Sequence, residues 1–247
     1  MNTVTLVHAP DRPLLLLGPS LGTTAETVWR RCAEQLDGRF HVVGWDLPGH
    51  GGSSPPTSSF QIADLARDVL DLVDGPFLYA GDSVGGAVGL QLLLDAPDRV
   101  TGAALICTGA KIGEAGDWHA RAATVRASGT AAMVDGSVQR WFAPGFLGRE
   151  PRVASALLNA LHETDREGYA LICEALATFD VRDRLGEISV PVLAIAGAHD
   201  APTPPGTVAE IAHGVQHSRF VVLDDVAHLA PAEDPATVAA LITKEFA

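Results

Sequence analysis

Short apolar runs of strand length alternate along the chain with segments in which apolar residues recur at helical spacing. This alternation is typical of a mostly parallel sheet that is covered by helices. Several runs lack polar positions, as strands buried on both faces do. The predicted strands span residues 3–8, 13–17, 41–45, 77–81, 100–108, 190–198 and 219–223. The predicted helices span residues 27–36, 62–73, 84–94, 206–212 and 235–246, with Asp234 as the N-cap of the last helix.

Residues 111–180 interrupt this alternation, because they contain helical patterns and no convincing strand. These patterns include WHARAATVRA, MVDGSVQRWF and RVASALLNALHE. We expect a helical cap inserted between two strands, over the carboxyl edge of the sheet, where ligands bind in open α/β folds. The predicted organisation is therefore one α/β core formed by residues 1–110 and 181–247, with the cap at residues 111–180.

Composition narrows the classes of partner. With 17 basic and 30 acidic residues, the formal net charge is −13, which argues against a nucleic-acid or anionic membrane surface. The cysteines are far apart and form no CxxC pair, so neither a disulfide framework nor a metal site is indicated. No apolar run is long enough to span a bilayer, and no N-terminal segment has a signal-peptide pattern. We therefore expect a soluble, cytoplasmic protein without a required protein partner.

The stretch GDSVG, centred on Ser83, matches the pattern GxSxG. It follows the apolar run PFLYAG and precedes a predicted helix, which is the context of a nucleophile elbow. Flanking glycines relieve crowding around a strained serine and let the helix pack close to the strand. On this local pattern alone, Ser83 is either a nucleophile or the cap of an ordinary strand-to-helix turn.

An acid and a base follow downstream in the chain order serine, acid, histidine. Asp200 ends the apolar run VPVLAIAGAHD, and His228 follows the next predicted strand. Both are expected at the carboxyl edge of the sheet beside Ser83. His228 would remove the serine proton, and Asp200 would fix the imidazole tautomer and stabilise its charged form. Asp224 and Asp225 are rival acids, but their place just before His228 favours a role in shaping its loop.

Acyl transfer also needs two amide donors for the tetrahedral oxyanion. The predicted donors are the backbone N–H of Val84, directly after Ser83, and that of Leu21, in the loop PSLGTT. His50 is interpreted as the support of a tight loop and His199 as a neighbour of Asp200 rather than a second base, because the triad already has a base. The sequence thus predicts a serine hydrolase.

Beyond these motifs, the chain resembles the 3-oxoadipate enol-lactonases, a family of the α/β-hydrolase fold. The similarity runs through PSLGTT, WDLPGHGGSS, the elbow, WHARAATVRASG, RWFAPGF and AHLAPAEDP, and so covers nearly the whole chain. The resemblance implies an α/β-hydrolase fold with a mostly parallel sheet flanked by helices and an inserted helical cap. It also implies hydrolysis of 3-oxoadipate enol-lactone to 3-oxoadipate in aromatic catabolism (the β-ketoadipate pathway), without a cofactor. Asp82 departs from the family pattern, which has a hydrophobic residue there.

The implied substrate carries a carboxylate, which a net charge of −13 repels unless the site supplies a cation. Arg121 lies three residues after Trp118 in a predicted cap helix, and Arg140 directly precedes Trp141. We expect Arg121 or Arg140 to face the carboxylate and Trp141 to form an apolar wall over the lactone ring. The alternative is that these arginines are solvated surface.

Fold and triad do not define the substrate. A general carboxylesterase or another lactonase on the same fold is therefore the main alternative function. A hydrolase-like binding protein that retains the pocket without turnover is a third, and the complete triad argues against it.

Overall fold

The sheet has the mostly parallel form that the sequence predicts. The computed structural model describes residues 1–36 and 38–247. Strands in these residues are β1 (Thr3–Val7), β2 (Leu14–Gly18), β3 (His41–Trp45), β4 (Phe77–Asp82), β5 (Val100–Ile106), β6 (Val192–Gly197) and β7 (Ser218–Leu223). They form one sheet with the order β1-β3-β2-β4-β5-β6-β7. Only β1 is antiparallel to its neighbour within this described sheet.

Helices cover this sheet and fill the long interval between β5 and β6. They are α1 (Ala25–Gln35), α2 (Ile62–Leu70), α3 (Val84–Asp95), α4 (Ala115–Ser128), α5 (Val134–Trp141), α6 (Phe146–Arg149), α7 (Pro151–Glu163), α8 (Arg166–Thr178), α9 (Pro205–Gly214), α10 (Ala230–Glu233) and α11 (Pro235–Phe246). Short 3₁₀ helices span Thr130–Met133 and Arg182–Glu187. Residues 107–191, all of them described, contain no strand. The division into core and cap at residues 111 and 180 stays a prediction.

Every predicted strand and helix is present, and the differences lie at their ends. The strand predicted at residues 100–108 stops at Ile106, because Cys107 has a φ of 46° and turns the chain out of the extended conformation. The strand predicted from residue 190 begins at Val192, since Pro191 has no N–H to donate. The helix predicted to residue 73 ends at Leu70, where Leu72 N–H bonds to Val69 O in a tighter turn.

The core positions four loops at one edge of the sheet. Every residue of β4 and β6 is buried, in keeping with central strands covered on both faces. Because β2, β4, β6 and β7 are parallel, their carboxyl ends meet at the same edge. The loops that follow them contain Leu21, Ser83, Asp200 and His228. No helix in the described ranges has the length and apolar character that crossing a membrane requires.

Candidate active site

The turn between β4 and α3 holds Ser83 in a strained conformation. Its φ is 54° and its ψ is −115°, outside the regions that residues with a side chain favour. The neighbouring glycines are required by close packing. A Cβ on Gly81 would lie 2.3 Å from Gly85 O, and one on Gly85 would lie 2.6 Å from Gly18 C. Any larger residue at these positions would push α3 away from the sheet.

The structure brings Ser83, His228 and Asp200 into one hydrogen-bonded chain. Ser83 Oγ lies 2.9 Å from His228 Nε2, and His228 Nδ1 lies 3.0 Å from both carboxyl oxygens of Asp200. All three residues are buried. A hydroxyl, an imidazole and a carboxylate in this order allow the serine to be deprotonated as it attacks an acyl carbon.

Asp200 is also oriented by Thr203, which the sequence analysis missed. Thr203 N–H donates to one carboxyl oxygen at 2.9 Å, and its hydroxyl donates to the other at 2.7 Å. Aspartate side chains commonly bond to groups a few residues away in the same turn. The spacing of Asp200 and Thr203 is therefore the sequence feature that could have indicated this contact. The rival acids Asp224 and Asp225 are exposed, and so is His199.

The two predicted oxyanion donors lie in loops that contact each other. Val84 is the first residue of α3, so its N–H has no carbonyl partner one turn earlier in the helix. Leu21 lies in a turn closed by Thr23 N–H, which donates to Ser20 O at 3.1 Å. Gly85 N–H donates to Pro19 O at 3.0 Å and so joins this turn to the elbow. The arrangement joins the two turns that contain the predicted amide donors, as an oxyanion hole requires.

His50 is fully buried beside the Leu21 turn. Its Nε2 accepts a hydrogen bond from Gly22 N–H at 3.1 Å, and its Nδ1 donates to Pro48 O at 2.9 Å. Burial lowers the pKa of His50 to about 4, although Pro48 O and the charges of Asp46 and Asp165 oppose this shift. The interpretation of His50 as a supporting residue agrees with these contacts.

Asp82, the last residue of β4, is a fully buried carboxyl group. Neither of its side-chain oxygens has a hydrogen-bond donor among the described residues. Burial raises the pKa of Asp82 well above its usual range, and the charges of Asp200 and Glu233 raise it further. The charged form of this carboxyl group is therefore disfavoured beneath the elbow.

Three hydrogen bonds join the loop of His228 to the chain around Trp141. His228 N–H donates to Trp141 O at 3.2 Å. Glu233 accepts from Ala227 N–H at 2.9 Å and from Ala143 N–H at 2.8 Å. The Trp141 ring reaches the Leu21 turn, since a Cβ on Gly22 would lie 3.5 Å from Trp141 Cη2. Sequence reasoning gave no indication of Glu233, because its partners are backbone N–H groups and one of them, Ala143 N–H, is 90 residues away in the chain.

Arg121 and Arg140 both line a cavity of about 140 Å³. Trp118 and Pro202 line the same cavity, and Pro202 belongs to the loop of Asp200. The Arg121 guanidinium lies 4.8 Å from the Trp118 ring centroid, so these residues share a helix face as their spacing predicts. Arg140 is half-buried, and burial together with the charge of Arg121 lowers its pKa.

This cavity carries net positive charge, because Arg121 and Arg140 line it together with a single carboxylate, the exposed Asp117. Across residues 1–36 and 38–247, neither Arg121 nor Arg140 has a carboxylate oxygen within 4.0 Å. Arg126, on the same helix as Arg121, is instead paired with Glu167 at 2.7 Å and with Glu174. Two guanidinium groups without acidic partners make the cavity suitable for an anion.

The fold and the site define a class. A family model described as the alpha/beta hydrolase fold matches residues 13–235. The chain is 37% identical to 3-oxoadipate enol-lactonase 2 of Acinetobacter baylyi, over 95% of this chain and 88% of that protein. It is 32% identical to 3-oxoadipate enol-lactonase 1 of the same organism, over 93% and 87%. The crystal structure of the enol-lactonase from Burkholderia xenovorans matches with a TM-score of 0.94 and 32% identity, over 98% and 95%.

These similarities extend over nearly the entire length of each protein. The chain therefore belongs to the α/β-hydrolase fold family and, within it, to the 3-oxoadipate enol-lactonases that the sequence motifs indicate. It is accordingly an enzyme, a carboxylic ester hydrolase.

Proposed function

We propose that the enzyme opens the ring of 3-oxoadipate enol-lactone to give 3-oxoadipate. The names of its relatives support this substrate. The observation that carries the proposal is the cavity with Arg121 and Arg140, which lack acidic partners among the described residues and lie beside the loop of Asp200. A neutral ester would leave both charges unmatched, whereas a lactone that bears a carboxylate pairs with one or both.

The first half of the proposed reaction forms an acyl-enzyme. His228 Nε2 takes the proton of Ser83 Oγ, which attacks the lactone carbonyl carbon. The carbonyl oxygen becomes an oxyanion that accepts hydrogen bonds from the N–H groups of Leu21 and Val84. When the ring C–O bond breaks, the departing enol oxygen takes the proton from His228, while Asp200 stabilises the imidazolium.

The second half hydrolyses the acyl-enzyme. Water gives a proton to His228 and attacks the acyl carbon, and Ser83 leaves as the proton returns to it. The released enol tautomerises to the ketone. In this scheme Trp141 forms an apolar wall over the ring, and Arg121 or Arg140 holds the carboxylate within the cap of residues 111–180. A cytoplasmic location and a place in aromatic catabolism are parts of the same proposal.

The test compares substrates with and without the carboxylate. Replacing the critical arginine, Arg121→Ala or Arg140→Ala, should lower kcat/KM for the enol-lactone roughly 10- to 150-fold, because a desolvated charge-assisted contact contributes about 1.5–3 kcal/mol. Hydrolysis of p-nitrophenyl acetate, a neutral ester, should change little. Arg152→Ala is the matched control, because Arg152 is an exposed cap arginine.

Two results would contradict the proposal. An equal loss on both substrates means that the arginines support the cap rather than bind the carboxylate. Efficient turnover of the neutral ester together with slow turnover of the enol-lactone means that the enzyme is a general carboxylesterase.

A further inference from the structure

The hydrogen bonds of His50 define a single state of its imidazole ring. Because a backbone N–H only donates and a carbonyl only accepts, Gly22 N–H requires an unprotonated Nε2 and Pro48 O requires a protonated Nδ1. Both conditions are met by one neutral tautomer. A second proton on the ring would set two N–H groups against each other at a fully buried position.

The bond to Gly22 acts on the turn that contains Leu21. In this turn Thr23 N–H bonds to Ser20 O, and Gly22, the third of its four residues, has a φ of 80°. These are features of a type II turn, which differs from a type I turn mainly in the orientation of its central peptide. The central peptide here joins Leu21 to Gly22, and its N–H is the group that His50 accepts.

The opposite side of the His50 loop is attached to α8 and the residue before it. The imidazole stacks on the Tyr169 ring, with 6.4 Å between centroids and 15° between planes. Asp165 N–H donates to Gly49 O at 2.9 Å. A Cβ on Gly22 would lie 3.4 Å from Tyr169 Cε2, so the turn and Tyr169 are themselves in contact. His50 thus lies where the turn and the helices between β5 and β6 meet.

We propose that His50 is a positioning residue for the oxyanion hole. As a neutral acceptor for Gly22 N–H, it anchors the Leu21–Gly22 peptide and with it the turn, whose preceding peptide, Ser20–Leu21, carries the Leu21 N–H for the developing oxyanion. The inference rests on the proposed function, because it assumes that Leu21 and Ser83 act on the same acyl group. Without the acceptor, Gly22 N–H is left buried and unpaired, and the turn relaxes to satisfy it.

The test separates the acceptor from the bulk of the ring. His50→Leu removes both hydrogen bonds, and we expect kcat to fall roughly 10- to 100-fold with little change in KM, because displacing an oxyanion donor affects the transition state more than substrate binding. His50→Gln places an amide oxygen near the position of Nε2. It should recover most of the lost kcat, since that oxygen can accept from Gly22 N–H.

A second readout is the inhibition constant of phenylboronic acid, whose adduct with a serine nucleophile resembles the tetrahedral intermediate. It should rise for His50→Leu by a factor similar to the fall in kcat. The matched control is His41→Leu. His41 is half-buried and its Nδ1 also contacts a backbone carbonyl, Val7 O at 3.1 Å, but it lies at the amino end of β3, away from the site. This variant should keep its kcat.

The outcomes distinguish this inference from the proposed function. If folded His50→Leu keeps its kcat, or if His50→Gln is as impaired as His50→Leu, the acceptor role is wrong. If only KM rises, His50 supports substrate binding and the inference is again wrong. Turnover by Ser83→Ala would instead overturn the proposed function itself, whatever the His50 variants do.

Discussion

Ser83 and Asp200 are the residues at which the smallest changes should have the largest effects on rate. Ser83→Ala removes the oxygen that attacks the carbonyl in the proposed reaction, so we expect kcat to fall by roughly 10⁴-fold or more while the fold is retained. Asp200→Asn keeps the shape but favours the wrong imidazole tautomer, and should lower kcat on the order of 10³- to 10⁴-fold. Steady-state kinetics with circular dichroism as a check of folding measure both effects.

Asp224→Asn provides the control for the acid, because Asp224 is exposed and Asp200 contacts His228. We expect this variant to have normal activity. If instead Asp224→Asn is inactive and Asp200→Asn is not, the assignment of the acid is wrong.

Asp82 should reduce the stability of the protein at neutral pH, because its buried carboxyl group has no donor among the described residues. Leucine has nearly the same branched shape with methyl groups in place of the oxygens. We therefore expect Asp82→Leu to raise the free energy of unfolding at pH 7 by about 1–3 kcal/mol in urea titrations.

The gain in stability from Asp82→Leu should depend on pH. The pKa of Asp82 is raised in the folded state by burial and then by Asp200 and Glu233, so the folded protein binds its proton more tightly than the unfolded chain does. The stability that this tighter proton binding contributes is therefore fully present below pH 3.8, and it is lost as the pH rises through the folded pKa. The advantage of Asp82→Leu should accordingly grow from acidic to neutral pH. An advantage that shrinks over this range would contradict the buried, unpartnered state.

At the scale of elements, the short helix α10 links the loop of His228 to the segment after α5. Glu233, its last residue, accepts one backbone N–H from each side. Glu233→Gln replaces one acceptor oxygen with a donor that faces another N–H. We expect it to cost about 1–3 kcal/mol of stability and to lower kcat, because one of the two loops must move.

Urea unfolding and steady-state kinetics measure these two effects of Glu233→Gln. Glu210→Gln is the matched control, since Glu210 is an exposed glutamate on α9. Normal kcat and stability in Glu233→Gln would mean that other contacts hold the His228 loop.

At the scale of the whole molecule, the buried neutral state of His50 couples folding to pH. Its pKa is about 4 when folded, against 6.5 as the ordinary value. As the pH falls, the unfolded chain therefore protonates His50 at a higher pH than the folded protein does. The stability that neutral His50 contributes is fully present above pH 6.5 and is lost as the pH falls to about 4. For a fully buried group this amounts to roughly 3 kcal/mol.

His50→Gln cannot titrate in this range. Its free energy of unfolding, measured in urea at pH 7 and pH 4.5, should therefore fall less between these values than that of the unmodified protein. Asp46, Asp165 and Tyr169 face the same position and remain unchanged in the variant, so the comparison isolates His50. If the free energy of unfolding falls equally in both proteins between pH 7 and pH 4.5, His50 titrates normally.

Local patterns account for the parts of the fold that the sequence predicted and for the expectation that the candidate site residues lie together. The strands and helices follow from apolar periodicity, which records whether a segment is buried on one face or two. The elbow follows from glycines that a close strand-to-helix approach requires, as the contacts of Gly81 and Gly85 demonstrate. Loops after parallel strands meet at one edge, so Ser83, Asp200 and His228 could be expected together before their distances were known.

The sequence by itself thus determined the order of elements, the chemistry of the candidate triad and the family of the chain. Tertiary structure alone decided which buried groups are paired. Glu233 and His50 bond to backbone groups of other loops, and Asp82 has no donor among the described residues, because these pairings depend on distances that no periodicity encodes. The same holds for Arg121 and Arg140, which the structure brings to one cavity while Arg126, five residues from Arg121, is neutralised by glutamates of another helix.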